Sequence, residues 1–201
     1  MIINNKQLEK ELFQAVLSEI RKRVRKNKNN VQRRLENAIR NWVMDSDTIQ
    51  SLMENKHFSL KAKFGLTDVD AQQAVNDLTI AIGRCLRAEI RDSAKSIEVE
   101  FSFVRSDFSD LLSLSSASFI TEKGKDIPWL NWLLTQGDRV VVADYRYIPA
   151  DNGRSGYGIM IGGKSFRVPP QFSGTPQNNF VHQVFDGKDK ELESIMIHLL
   201  E

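Results

Sequence analysis

Residues 127–175 read IPWLNWLLTQGDRVVVADYRYIPADNGRSGYGIMIGGKSFRVPPQFSGT, and the fold class turns on them. Pro128 suits the first turn of a helix, where its missing N–H would have no partner in any case. Behind it Trp129, Leu130, Trp132, Leu133 and Leu134 form a patch too apolar to face water, so this chain or another has to cover it. Residues 140–147, VVVADYRY, read as a strand of the buried type. The glycine-containing loop over 151–164 is expected to be flexible until a partner orders it, because glycine loses the most backbone freedom on ordering. A second extended piece follows and closes at Pro169 and Pro170.

Upstream, Leu8, Leu12, Val16, Ile20 and Val24 recur every four residues, and Val31, Leu35, Ala38, Ile39, Trp42 and Val43 resume a helical spacing after a polar gap. This is one long helix or two in series, with any break at residues 27–30, since asparagine competes with the helical backbone for hydrogen bonds. Ser46 and Asp47 cap a short helix to Met53, residues 56–64 make another closed by Gly65, and Thr67 or Asp68 starts a longer one. Val75, Leu78, Ile82 and Leu86 carry that helix on to Ile90. Ile97, Val99, Phe101 and Phe103 then alternate with Glu98, Glu100 and Ser102, the period of a strand with one buried face. Residues 108–114 and 118–121 are strand or irregular, and 122–126 a turn. Downstream, Asn178 or Asn179 caps a helix over 180–185, and Leu192, Ile195, Met196, Leu199 and Leu200 give a terminal amphipathic helix. Helices first, strands next and short helices last make an α+β arrangement. The expected organisation is a helical region over 1–95 with a long basic helix, and a mostly antiparallel β-rich region over 96–201 with a C-terminal helix, together one structural unit.

The 201 residues, 41% hydrophobic and 27% charged, have the balance of a globular chain. No apolar run approaches the roughly 20 residues of a membrane-spanning helix. The start, MIINNKQLEKELF, lacks the basic, apolar and small-residue regions of a secretory signal, so assembly in a cytoplasm away from membranes is expected. A lone Cys85 excludes an internal disulfide or a multi-cysteine zinc site, and is expected to be a small core residue on its helical segment. His57, His182 and His198 are far apart, and the serines between 106 and 118 form no G-x-S-x-G elbow. Gly163-Lys164-Ser165 supplies the last letters of a Walker loop. The following Phe166-Arg167-Val168-Pro169-Pro170 cannot be the helix whose N-terminus would hold the phosphate. No catalytic, cofactor or metal residue is expected, and no enzyme.

Net charge is only +2 but unevenly placed: Arg21, Lys22, Arg23, Arg25, Lys26, Lys28, Arg33 and Arg34 stand in one segment with no acid among them. Three readings are open. The segment contacts DNA phosphates without sequence preference, gaining from counterion release; it pairs with acidic residues of another chain; or it is a solvated helix face.

With PWLNWLLTQGD, VVVADYRY, RSG, GIM and FRVPPQFSGTPQNNFV in this order, the chain resembles virion structural proteins of tailed bacteriophages. More narrowly, it is similar to neck, head-tail connector and tail-completion proteins. LKAKFGLTD and FSDLLSL sit where such proteins place these features; Phe166, where tryptophan can stand, and the Gly162-Gly163-Lys164 loop depart from the pattern. The resemblance implies a subunit of a closed ring between portal and tail that surrounds the DNA channel and does no covalent chemistry. Its place would be the virion neck, assembled in the host cytoplasm. Its partners would be copies of itself, portal-side or tail-terminator proteins, and packaged DNA. Trp129, Trp132, Arg154, Phe166, Arg167, Val168, Pro169 and Phe172 are the expected core or interface residues, and Arg21, Lys22, Arg23, Arg25, Lys26 and Lys28 the expected contacts to DNA or an acidic neighbour. The alternative is a small non-enzymatic nucleic-acid-binding protein that uses residues 21–34.

Overall fold

An unbroken helix, α1 (Asn5–Asp45), opens the computed structural model; its 41 residues span about 60 Å at 1.5 Å per residue. The model describes residues 5–93, 95–103, 108–121 and 124–201. The polar gap at 27–30 does not interrupt α1. Asn27 turns its amide to the Leu199 carbonyl (3.4 Å) instead of competing for its own backbone, and Val24 and Val31 on either side are buried.

Along the chain follow α2 (Asp47–Met53), α3 (Leu60–Phe64) and α4 (Asp68–Gly83), then a hairpin of β1 (Leu86–Asp92) and β2 (Ile97–Phe103). Next come α5 (Ser109–Leu112), a 3-10 turn (Ser115–Ala117), β3 (Phe119–Ile120), β4 (Asp126–Ile127) and α6 (Trp129–Thr135). The remainder is β5 (Val140–Val142), β6 (Tyr145–Pro149), β7 (Gly158–Gly162), β8 (Phe166–Arg167), α7 (Phe180–Gln183) and α8 (Asp189–Ile197). The pairs β1–β2, β3–β4, β5–β8 and β6–β7 are all antiparallel, and the class is α+β.

Side-chain caps fix the starts of α2, α3, α4 and α7. The Ser46 hydroxyl accepts from Ile49 N (3.4 Å) and that of Ser59 from Ala62 N (3.2 Å). At α4 the exchange is reciprocal: Asp70 N donates to Thr67 Oγ1 (3.2 Å) and Thr67 N to Asp70 Oδ2 (2.9 Å). Gly65 ends α3 at φ 69°, where a side chain would be strained. Asn179 is buried; its Oδ1 accepts from Val181 N (3.1 Å) while its Nδ2 donates to Thr175 O (2.9 Å), which ties the segment after Pro170 to the start of α7.

The described residues group into two compact units, both discontinuous: residues 1–38, 84–104 and 187–201 in one, 39–83 and 105–186 in the other. The division expected after residue 95 falls instead between the two strands of the first unit's hairpin. In the first unit β1 and β2 pair from Leu86 opposite Phe103 to Asp92 opposite Ile97. In the second, α2 packs on α3 and α4, and Ile49, Leu52, Leu60, Leu78, Ile82, Leu130 and Leu133 are fully buried.

Among the expectations that need correction, residues 109–112 form the helix α5 rather than strand or irregular chain. The helix expected to reach Ile90 stops at Gly83, and residues 86–92 are a strand. A four-residue spacing keeps side chains on one face of a strand as well as of a helix, and pairing with β2 decides between them. Cys85 is therefore half-buried in the intervening turn, not a helical core residue. The strand expected over 140–147 is two, β5 and β6, because Asp144 takes a left-handed φ of 59° and turns the chain; Val140 is exposed rather than buried. Residues 122 and 123 of the expected turn, Ser106, and the side chains of Leu86, Phe101 and Phe103 lie outside the described residues. Among the described residues, no helix is long and apolar enough to cross a membrane.

Candidate functional site

The apolar patch is carried by α6 and covered within the second unit. Trp129, Leu130, Leu133 and Leu134 are buried, and Trp132 is half-buried. The Trp129 indole donates to the Ser116 carbonyl (2.9 Å), and the Phe64 ring lies 5.8 Å from that of Trp129 and 6.4 Å from that of Trp132. Phe166, Val168 and Pro169 are buried too, whereas Phe172 is half-buried, with its amide donating to the Pro169 carbonyl (2.9 Å). Arg167 stays exposed and turns its guanidinium to the Asp138 carbonyl and, at 3.7 Å, to the Asp138 carboxylate.

The loop expected to be flexible over 151–164 is shorter and more tied than its glycines imply. Residues 158–162 form β7, which pairs with β6 in register from Tyr145 opposite Gly162 to Pro149 opposite Gly158. Arg154 fastens the remaining tip: its guanidinium donates to the Gly65 carbonyl (2.8 Å), meets Asp70 Oδ2 at 2.9 Å and stacks 4.0 Å from the Phe119 ring centroid. The Tyr147 hydroxyl sits between the carbonyls of His57 and Tyr157, 2.8 Å from the second, and His57 Nδ1 donates to Tyr157 O at 3.0 Å. Burial pushes the Tyr147 phenol up, so it keeps its proton as a donor. Beside it the buried Lys61 ammonium reaches Asn55 and Asp68 and lies 5.3 Å from the Tyr157 ring.

Burial pushes the Asp70 carboxyl up, but the Thr67 hydroxyl and amide and the Arg154 guanidinium outweigh it and hold the group below its ordinary value. A depressed folded pKa contributes stability that is fully present above the unfolded value, about 3.9, and is lost as pH falls through the folded one. In urea titrations the stability difference between wild type and Arg154→Met is therefore expected to narrow from about pH 6 to about pH 2. A difference that does not change with pH would mean that Arg154 is not what holds the Asp70 charge.

The basic run lies on α1 in the first unit, and three of its arginines are engaged there. Arg21 Nε meets Asp92 Oδ1 at 2.6 Å, with its Nη2 on the Ser93 carbonyl, and Arg25 Nη2 meets Asp92 Oδ2 at 2.8 Å. Arg23 pairs with Glu19 (3.1 Å) and donates to the Leu200 carbonyl (3.1 Å). Asp92, the last residue of β1, is thus an acid on this chain that engages Arg21 and Arg25. Lys22, Lys26, Arg33 and Arg34 remain exposed, and Lys28 is half-buried. At 100° per residue Lys22, Lys26 and Arg33 share the side of α1 opposite Val24 and Val31.

No family model, no curated protein and no solved structure matches the chain. Its functional reading therefore rests on its own residues. Among the described residues no group of three or more His, Cys, Asp or Glu side chains could hold a metal ion. Sequence spacing carried no signal for the partners of Arg21 or Arg154, since Asp92 and Gly65 lie 71 and 89 positions away.

Proposed function

We propose that the chain is a non-enzymatic structural subunit of a tailed-bacteriophage neck, a head-tail connector or tail-completion protein that joins copies of itself around the DNA channel of the virion. An uncovered apolar ridge on α1 carries this reading. Leu8, Leu12 and Val16 are 55%, 64% and 51% exposed, and Phe13 stands beside them at 49%. They begin the i+4 ridge that continues through Ile20 to Val24, which is buried. Full burial is worth about 1.5–3 kcal/mol for such a side chain, and with about half of each already covered, complete coverage adds about half of that. Glu9, Glu11 and Glu19 alternate along this part of the helix with Lys6 and Lys10, a mixed flank that suits a protein neighbour better than phosphates or an anionic membrane. A copy of the same chain is the occupant proposed, since a contact that repeats head to tail and closes makes a ring. Lys22, Lys26, Arg33 and Arg34 then supply the sequence-independent contact to DNA or to an acidic neighbour.

Size-exclusion chromatography with light scattering tests the assembly. Wild type is expected to associate with rising concentration, and Leu12→Glu to weaken association about a hundredfold or more with an unchanged circular dichroism spectrum. Equal association of the two proteins would remove the ridge as the interface. For the neck assignment, gold-labelled antibody is expected at the head-tail junction of tailed particles made in cells that express the chain. Label elsewhere on the particle, or on none, would overturn it.

A further inference from the structure

In the second unit a groove of about 510 Å³ opens between Lys63 of α3, Arg146 of β6 and the turn at Lys164 and Ser165, with Arg167 and Asp138 at its rim. Asp138 is committed to Arg167. Lys63, Arg146 and Lys164 make no ion pair or side-chain hydrogen bond among the described residues, so three cations that are not paired line a groove whose lining includes a single acid, Asp138. Burial lowers the Lys63 pKa, the mark of an ammonium that has lost water and gained no anion. The turn is held in place: Gly163 N donates to the Asp144 carbonyl (2.9 Å), and the Arg146 stem passes close to Gly163.

We propose that this groove binds the phosphate of a phosphate ester, gripped by Lys63, Arg146 and Lys164 with the Ser165 hydroxyl as a further donor. A planar guanidinium beside two mobile ammonium groups matches the tetrahedral, negatively charged oxygens of a phosphate ester. The apolar lining favours this over an acidic peptide. Phe166, Val168 and Pro169 are buried beneath the groove and offer no exposed anchor pocket, whereas Arg146, Lys164 and Ser165 are exposed, so charge dominates recognition. The Gly-Lys-Ser letters thus act without a Walker helix, in the turn between β7 and β8. The site is independent of the assembly reading, because every residue in it belongs to one unit of one chain.

Calorimetric titration of the full chain with inorganic pyrophosphate, in chloride buffer at low salt, is expected to show saturable binding. Lys164→Gln and Arg146→Gln should each weaken it about tenfold, the loss expected for one charge-assisted hydrogen bond. Lys164 and Arg146 are exposed, so both variants should keep the wild-type melting temperature. A short fluorescent DNA duplex separates two sources of the phosphate. Displacement of the duplex by pyrophosphate puts nucleic-acid backbone in the groove, and pyrophosphate binding that leaves the duplex undisturbed assigns a free nucleotide-like ligand; either outcome supports the site. Absence of saturable binding, variants that bind like wild type, or a polyglutamate probe that binds as tightly as pyrophosphate would each overturn it.

Discussion

Trp129→Ala is expected to lower the stability of the second unit by about 3–5 kcal/mol, and Trp132→Ala by clearly less. The two residues are three apart on one helix, but Trp129 is 1% exposed and Trp132 only half-buried. Truncating Trp129 empties the space beside Phe64 and leaves the Ser116 carbonyl without its 2.9 Å donor, so a cavity and an orphaned acceptor add. Trp129→Phe separates these contributions: it keeps most of the ring volume, loses the N–H, and should cost about 1–3 kcal/mol. Guanidinium unfolding of the three variants checks the order through the midpoint at unchanged slope. A Trp132→Ala loss equal to that of Trp129→Ala would show that burial within one chain does not rank them.

Gly158→Ala should cost about 1–3 kcal/mol, although the new methyl is the smallest possible addition. A Cβ on Gly158 would overlap the Tyr147 ring and hydroxyl, the group that bridges the His57 and Tyr157 carbonyls. Gly156→Ala makes the contrast. Nothing lies within 4 Å of a Cβ there, and only the left-handed φ of 77° opposes it, worth about 1–2 kcal/mol. Amide exchange over residues 150–157 reads the outcome locally: Gly158→Ala is expected to accelerate it throughout the tip, because Tyr147 must move and release both carbonyls. Equal exchange in the two variants would mean that close packing against Tyr147 is not what requires glycine at 158.

These contrasts also mark where the sequence was readable. Elements set by neighbours in the chain were legible: the apolar ridge of α1, the Ser46 and Asn179 caps, the left-handed Gly65, and Pro128 at the head of α6. Elements set by distant partners were not. Leu86 and Ile90 continue the spacing of Leu78 and Ile82 without a break, and only the opposite strand makes them extended. The glycines near residue 155 read as freedom, yet Gly153 and Gly158 are there because backbone and tyrosine approach too closely for any side chain. The basic run looked unpaired because Asp92 lies beyond three helices, and the groove escaped notice because Lys63 and Lys164 are brought together only by folding. Charge counted along a chain says little about charge gathered in space.

The discontinuity of the first unit sets an order of events during synthesis. Residues 39–83 and 105–186, the whole of the second unit, are synthesised before residues 187–201, yet that segment belongs with the beginning of α1. Until then Arg23 and Asn27 lack the Leu200 and Leu199 carbonyls that they later hold. The apolar ridge on the first turns of α1 is synthesised before both the second unit and residues 187–201, and exposed apolar surface of that kind is what chaperones bind and what aggregates first. Until residues 187–201 are made, the second unit has its whole sequence while the first lacks the segment that carries the Leu199 and Leu200 carbonyls.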